Sequence, residues 1–234
     1  MPQRTQALLL DALGTLMYFE PPAPLLRVAL RERCGVVVSE AVAEAAIRAE
    51  IAYYRAHLHE GHDPVSLADL RRRCAEAMLP VLGIAVDVRA LTEALLAALR
   101  FHAYPDAAPA LMAARERGLS IVVVSNWDHS LDERLAETGL APLIDASVAS
   151  AELGRAKPDP AIFAYALELA RAPAAAALHA GDTLEADVGG ALAAGLRAVL
   201  VARGGAPPGV PAGVPVIASL AELPALCDYA SSAQ

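Results

Sequence analysis

Asp11 and two later aspartates have residue types and positions that suit one reaction. Asp11 closes an apolar run and precedes the turn-forming pair Gly14-Thr15. A carboxylate in this position can attack an electron-poor centre and form a covalent aspartyl intermediate. Asp182 and Asp187 supply two more carboxylates, and hard oxygen ligands of this kind suit Mg²⁺. The pattern predicts a carboxylate nucleophile beside a magnesium site.

Two further polar residues suit a phosphate group. Lys157 would hold Asp11 ionised and balance charge on phosphate oxygens. Ser125 closes a second apolar run, and its hydroxyl and nearby backbone N–H groups would bind phosphate oxygens. Bound Mg²⁺ would reduce the repulsion between Asp11 and an anionic phosphate. Each residue alone is more often a turn, cap or solvated residue, but their common place at strand ends favours a site.

These residues lie in an alternating series of strands and helices, which predicts an α/β fold with a parallel sheet covered on both faces. Ligands bind at the carboxyl ends of the strands in such sheets, so Asp11, Ser125 and Asp182 would converge. Asp128 and Asp159 are predicted helix N-caps. The predicted strands are 6–11, 119–125, 144–150, 176–182, 197–202 and the run VIAS, and the predicted helices are 106–117, 129–138, 160–170, 184–194 and 219–228.

The block between residues 22 and 100 has a different pattern, because its apolar residues recur at helical spacing. Only the short run VVV at 36–38 is typical of a strand. We therefore expect a helical insert at 17–100 within a core formed by residues 1–16 and 101–234. The predicted helices of the insert are 24–33, 40–57, 67–82 and 87–100.

Composition excludes several classes of function. The chain has 234 residues, a net charge of −8 and no extended basic run, which argues against a nucleic-acid partner. No uninterrupted apolar stretch is long enough to cross a membrane. The three cysteines are far apart and odd in number, which favours a reducing, cytoplasmic location.

The order of these motifs resembles the haloacid dehalogenase superfamily. The matching stretches are LLLDALGTL, IVVVSN, the lysine of GRAKPDPAIF, LHAGDTLEADVGGALAAGL and, before the second of these, YPDAAPALMAARERGL. The resemblance implies a Rossmann-like core, a helical cap inserted after the first motif, and in most members a Mg²⁺-dependent phosphatase. The expected partner is a small phosphorylated substrate.

The resemblance also extends the set of candidate site residues. It implies that the backbone carbonyl of Leu13 joins Asp11, Asp182 and Asp187 as a metal ligand. Asn126 and Trp127 follow Ser125 at the same edge and are candidate substrate or phosphate contacts, although ordinary packing explains Trp127 equally well.

Leu13 departs from the family pattern. Phosphatases of this family usually carry a second aspartate there, which protonates the leaving group and then activates water. Leucine cannot transfer a proton, and the loss of such a group typically costs roughly 10²–10⁴ in rate. The cost is smallest for leaving groups that are already stable anions, such as those of acyl or aryl phosphates.

Two other functions stay open because of Leu13. A 2-haloacid dehalogenase needs no acid for its first step, since halide leaves without a proton, and a non-catalytic binding or regulatory relative needs none at all. Dehalogenases of the family, however, tend to have serine at Asp182, asparagine at Leu184 and tyrosine at Phe163. Three mismatches against one favour the phosphatase.

Overall fold

The computed structural model describes residues 4–228, which form two compact units. One unit contains the described residues up to Tyr18 together with those from Ala103 onward. The other unit contains Phe19–His102. Within residues 4–228, no helix combines the length and apolar character needed to cross a membrane.

Within the described residues, six parallel strands form one sheet and two short strands pair with each other. The larger sheet has the order β5-β4-β1-β6-β7-β8, and β2 pairs with β3. Helices connect most of the successive strands, which confirms the predicted α/β fold. The strands are β1 Ala7–Leu10, β2 Met17–Phe19, β3 Phe101–Ala103, β4 Ser120–Ser125, β5 Ala146–Ala149, β6 Ala177–Gly181, β7 Arg197–Val201 and β8 Val216–Ile217.

The helices divide between the two units. Four of those described belong to the unit Phe19–His102: α1 Pro22–Cys34, α2 Glu40–His57, α3 Pro64–Leu82 and α4 Val88–Ala98. The others described are α5 Ala107–Glu116, α6 Leu131–Glu137, α7 Ser150–Leu153, α8 Pro160–Ala170, α9 Gly190–Ala193 and α10 Leu223–Asp228, with a π-helix at Leu184–Gly189.

The central strand β1 determines where the acidic residues meet. All four of its residues are buried, and it pairs with β4 on one side and β6 on the other. Leu10 is in register with Ala180, so β1 and β6 end at the same level. Asp11, Ser125 and Asp182 therefore lie at one edge of the sheet, as the apolar runs predict.

The core of this unit lies on both faces of the sheet, which explains why its strands are continuous apolar runs rather than alternating ones. Leu9 and Val124 of neighbouring strands belong to one cluster of buried side chains. Ile162 and Phe163 of α8 and Val188 of the π-helix pack in the same cluster. The helices that follow the strands are thus fixed against the sheet.

Several predicted element boundaries are wrong. The strand predicted at 144–150 shortens to β5, because Ser150 begins α7. The helix predicted at 184–194 is the π-helix followed by α9, since the Val188 N–H donates to the Thr183 carbonyl five residues earlier. The helix predicted at 219–228 begins as a 3₁₀ turn at Leu220–Glu222. The run 36–38 is not a strand in the described chain.

The two predicted N-caps differ in outcome. Asp159 accepts a hydrogen bond from the Ala161 N–H at 2.9 Å at the start of α8, which confirms that prediction. Asp128 is not a helix cap, because α6 begins only at Leu131. The Asp128 carboxylate instead accepts from the Ser130 N–H at 2.8 Å and from its hydroxyl at 2.6 Å.

The unit Phe19–His102 contains a buried carboxyl group. Glu50 of α2 is only 5% exposed, and the same helix also buries Ala43, Ala46 and Ile47. Burial raises the pKa of Glu50 to about 7, against a smaller opposing effect of a hydrogen bond with Cys74. The folded state therefore binds this proton more tightly than the unfolded chain does.

We predict that Glu50 makes the protein less stable as pH rises. The stabilisation that comes from the more tightly bound proton of Glu50 is fully present below pH about 4.5, and it is lost as pH rises to about 7. The loss is on the order of 3 kcal/mol, from about 1.4 kcal/mol per pKa unit. Glu50→Gln should therefore be more stable than the wild type at pH 8, with a smaller difference at pH 5. Urea unfolding at both pH values measures this, and a pH-independent difference would contradict it.

Candidate active site

A buried lysine lies at the centre of the candidate site. The Lys157 ammonium donates hydrogen bonds to Oδ1 of Asp11 at 2.7 Å and to Oδ1 of Asp187 at 2.6 Å. The Lys157 side chain is 2% exposed, and both carboxylates are buried. Three charges removed from water at this spacing hold one another in place, because each would be costly to bury alone.

Asp11 and Ser125 are in direct contact, whereas the sequence predicts only that they converge at one edge of the sheet. The Ser125 hydroxyl donates to Oδ1 of Asp11 at 3.1 Å. The same oxygen accepts the bond from Lys157, so both hydrogen bonds reach Oδ1. Oδ2 of Asp11 is the oxygen left for chemistry.

Asp187 is held by more donors than the sequence indicated. Oδ1 receives Lys157 and the Nε2–H of His179 at 3.0 Å, and Oδ2 receives the Thr183 N–H at 3.0 Å. His179 is not among the residues predicted from the sequence, although a histidine inside an apolar strand was a signal. Among residues 4–228, its Nδ1 has no hydrogen-bond partner. Because an ionised carboxylate can only accept hydrogen bonds, Nε2 of His179 is the donor in this contact.

Asp182 lies close to the turn that follows Asp11. A Cβ atom placed on Gly14 would stand only 2.1 Å from Oδ2 of Asp182, and Gly14 has φ +87°. Both the close approach and the left-handed backbone therefore require glycine. One carboxylate oxygen from each of Asp11, Asp182 and Asp187 lies within 4.8 Å of the others.

The pKa values of the three acids shift in different directions, because burial, neighbouring carboxylates and Lys157 affect each of them to a different extent. Burial and then repulsion from Asp11 and Asp187 raise the pKa of Asp182 to about 6. Burial opposes ionisation of Asp187, but Lys157 and His179 hold its pKa well below the usual range. For Asp11, burial and repulsion from Asp187 outweigh the lowering by Lys157, so its pKa is raised. The expectation that Lys157 holds Asp11 ionised is thus met only in part.

The two acidic neighbours of Lys157 favour its charged form. Burial disfavours the ammonium, but attraction to Asp11 and Asp187 raises the pKa of Lys157 above its ordinary value. The lysine therefore stays protonated at neutral pH. It acts as a fixed positive charge beside Asp11 rather than as a base.

These residues fit a divalent cation. Carboxylate oxygens are the hard ligands that Mg²⁺ prefers, and a divalent ion would balance the negative charge left by three acids and one described ammonium. Asp11 and Asp182 are the most available ligands, since Asp187 already accepts three hydrogen bonds. Ligation by Asp187 and by the Leu13 carbonyl stays a prediction.

Asn126 and Trp127 make contacts inside the core unit. The Asn126 amide donates to the Lys157 carbonyl at 2.9 Å and accepts from the Lys157 N–H at 2.7 Å. The indole of Trp127 is buried and donates to the Ser130 hydroxyl at 3.3 Å. Their predicted contact with substrate stays a prediction.

Comparison with known proteins gives the family. A model of haloacid dehalogenase-like hydrolases matches residues 5–195. The chain is 39% identical over 132 residues to a phosphoserine phosphatase from Thermus thermophilus, covering 55% of this chain and 53% of that protein. It is 42% identical over 92 residues to haloacid dehalogenase-like hydrolase domain-containing protein 3 from Bos taurus, covering 39% and 37%. The chain thus spans about half or less of these relatives' lengths.

Solved structures share the fold over nearly the whole chain. The putative HAD-hydrolase YfnB from Bacillus subtilis, bound to magnesium, has a TM-score of 0.70 at 22% identity, covering 97% of this chain and all of that one. L-2-haloacid dehalogenase from Xanthobacter autotrophicus has a TM-score of 0.68 at 24% identity, covering 95% and 98%. At these identities the likeness shows the fold alone. With the family model covering residues 5–195, the chain belongs to the haloacid dehalogenase-like hydrolases.

Proposed function

We propose that this hydrolase is a Mg²⁺-dependent phosphatase that acts on a small phosphorylated metabolite through an aspartyl-phosphate on Asp11. The observation that carries the proposal is the buried Lys157 shared by Asp11 and Asp187, with the Asp182 carboxylate beside them. The phosphatase name of the Thermus thermophilus relative supports it.

Asp11 would attack through Oδ2, because Lys157 and Ser125 both bind Oδ1. A bond forms between Oδ2 and phosphorus while the bond from phosphorus to the ester oxygen breaks, and that oxygen leaves with the electron pair. Water then attacks the aspartyl-phosphate, which releases inorganic phosphate and restores the Asp11 carboxylate. Lys157 and the Ser125 hydroxyl orient the carboxylate and the phosphate oxygens during both steps.

Asp11, Asp182, the Leu13 carbonyl and Asp187 would hold the magnesium ion. When bound, Mg²⁺ neutralises charge on the phosphate and so reduces its repulsion of Asp11. Asp187 would also hold Lys157 in place through Oδ1. Gly14 contributes by leaving space for Asp182.

Leu13 determines which substrates are favoured. No proton donor stands at this position, so the leaving group must depart as an anion. Acyl and aryl phosphates meet that condition better than alkyl phosphates. Substrate choice would also depend on the unit Phe19–His102. We propose that this unit is the helical cap that the sequence predicts at residues 17–100.

Leu13 is also what favours the second candidate, a 2-haloacid dehalogenase, because halide needs no acid. The presence of Asp182 and Asp187 argues against it, as do Leu184 and Phe163 at positions where dehalogenases tend to differ. A catalytically impaired binding or regulatory relative is the third alternative. A cytoplasmic location remains part of the proposal, since the three cysteines are odd in number and far apart in the sequence.

Asp11→Asn should abolish Mg²⁺-dependent release of phosphate from an aryl phosphate, because an amide is a poor nucleophile. Phosphate release with and without added Mg²⁺ measures this. Asp159→Asn is the matched control, since asparagine caps a helix as well as aspartate does. Metal-independent chloride release from 2-chloropropionate, without phosphate release, would establish the dehalogenase instead. Inactivity on both substrates would favour the impaired relative.

Leu13→Asp should raise turnover of alkyl phosphates more than turnover of aryl phosphates, since only the former need a proton at the leaving oxygen. Up to roughly 10²-fold is expected for the alkyl substrate. Leu13→Asn, which adds polarity without a transferable proton, is the control. Equal gains on both substrates, or no gain on either, would show that Leu13 does not limit the reaction.

Asn126→Ala should lower kcat and destabilise the fold by about 1–3 kcal/mol, because it leaves the Lys157 N–H and carbonyl without their partner. Asn126→Asp keeps the acceptor for the Lys157 N–H and should lose less stability. Urea unfolding and steady-state kinetics with an aryl phosphate measure both effects. A raised KM with unchanged kcat and stability would instead indicate the substrate contact predicted from the sequence.

A further inference from the structure

The motif Tyr104-Pro105-Asp106 has no part in the chemistry above, yet its aspartate is the centre of a second polar cluster. Arg203, two residues beyond the end of β7, binds the Asp106 carboxylate with both terminal nitrogens, each at 2.9 Å. Such a bidentate pair fixes the plane of the guanidinium as well as its position. Both side chains are about four-fifths buried.

Asp106 is itself held firmly. Its Oδ2 also accepts from the Ser219 hydroxyl at 2.7 Å and from the Leu220 N–H at 2.9 Å. Burial opposes its ionisation, but the hydrogen bonds from Arg203 and Ser219 lower the pKa of Asp106 to about 2. The anchor for Arg203 is therefore charged and immobile at neutral pH.

Arg203 uses this anchor to reach the segment that follows Asp11. Its Nη2 donates to the Thr15 carbonyl at 2.8 Å, and its guanidinium lies 3.6 Å from the centre of the Tyr104 ring. The Tyr104 N–H donates to the Leu16 carbonyl at 2.9 Å. Arg203 and Tyr104, whose side chains stack on each other, thus bind the successive carbonyls of Thr15 and Leu16.

This segment has little freedom to move without affecting the site. The Gly14 N–H donates to the Met17 carbonyl, and the Leu16 and Met17 N–H groups both donate to the Ala12 carbonyl. Gly14, next to Thr15, packs directly against the Asp182 carboxylate. A shift of Thr15 would therefore change the spacing between Asp11 and Asp182.

We propose that Arg203 is a positioning residue that clamps residues 12–17 to Asp106 and so keeps Asp11 aligned with Asp182. The effect on rate rests on the proposed phosphatase function, whereas the clamp itself does not. Misplacement by about 1 Å can cost on the order of 10²-fold in rate. Arg203 would act through the backbone of Thr15 and need not touch the substrate.

The test uses Arg203→Met, Arg203→Lys and the control Arg115→Met in the full chain. Arg115 is a matched control, because it also binds a carbonyl, that of Leu143, and a carboxylate, that of Asp145. Amide hydrogen exchange of Leu16 and Met17 is followed by NMR, and kcat and KM are measured with an aryl phosphate and Mg²⁺. Circular dichroism identifies temperatures at which every variant is folded.

We expect Arg203→Met to speed exchange of the Leu16 and Met17 amides at least ~10-fold. It should also lower kcat by roughly 10–100-fold with little change in KM. Arg203→Lys should be intermediate, since an ammonium cannot span both partners, and Arg115→Met should match the wild type. If Arg203→Met fails to fold, Arg203→Lys carries the test.

Unchanged exchange at Leu16 and Met17, or an equal change in Arg115→Met, would overturn the clamp. Unchanged kcat in an active enzyme would overturn its role in positioning. If the wild type releases no phosphate, the proposed function is wrong, but the clamp is still tested. Hydrogen exchange of Leu16 and Met17 measures the clamp without any need for activity.

Discussion

The sharing of one buried ammonium by two buried carboxylates is the constraint on which the rest of this site depends. Lys157 lies 2.7 Å from Asp11 and 2.6 Å from Asp187, and none of the three charges could be buried at low cost without the others. Each member is therefore held by its own set of contacts. Asn126 fixes the lysine backbone, while His179 and the Thr183 N–H fix Asp187.

The parallel sheet supplies the geometry that this ion cluster requires. The order β4-β1-β6 places the end of β1 between the ends of β4 and β6, which come much later in the chain. Asp11 follows the central strand of the three, so it meets Ser125 from one neighbour and Asp182 from the other. Gly14 then turns the chain sharply enough for the Asp182 carboxylate to approach. The backbone at the strand ends and at Gly14 therefore determines both how the sheet packs and where the acidic side chains meet.

The sheet and the convergence of Asp11, Ser125 and Asp182 at one edge could be predicted, because apolar runs that end on polar residues are a strong local signal. The π-helix at Leu184–Gly189 could not, since it depends on hydrogen bonds to Thr183 rather than on periodicity. Strands β2 and β3 were missed because three residues carry too little pattern.

His179 and Arg203 were missed for a different reason. Each is a single polar residue in or just after an apolar strand, and sequence spacing says nothing about its partner. Arg203 binds Thr15, 188 residues away, and only the folded chain brings them together. Positions that support a site through such long-range contacts are harder to recognise than the residues that carry out the chemistry.

The central claim is that Asp11 is a nucleophile that acts beside a magnesium ion held with Asp182. A crystal structure with Mg²⁺ and fluoroberyllate, a mimic of an acyl-phosphate, tests it most directly. We predict beryllium bonded to a carboxylate oxygen of Asp11 and a Mg²⁺ ion ligated by both Asp11 and Asp182. Fluoroberyllate absent from Asp11, or a Mg²⁺ ion bound without Asp11 and Asp182, would contradict the claim.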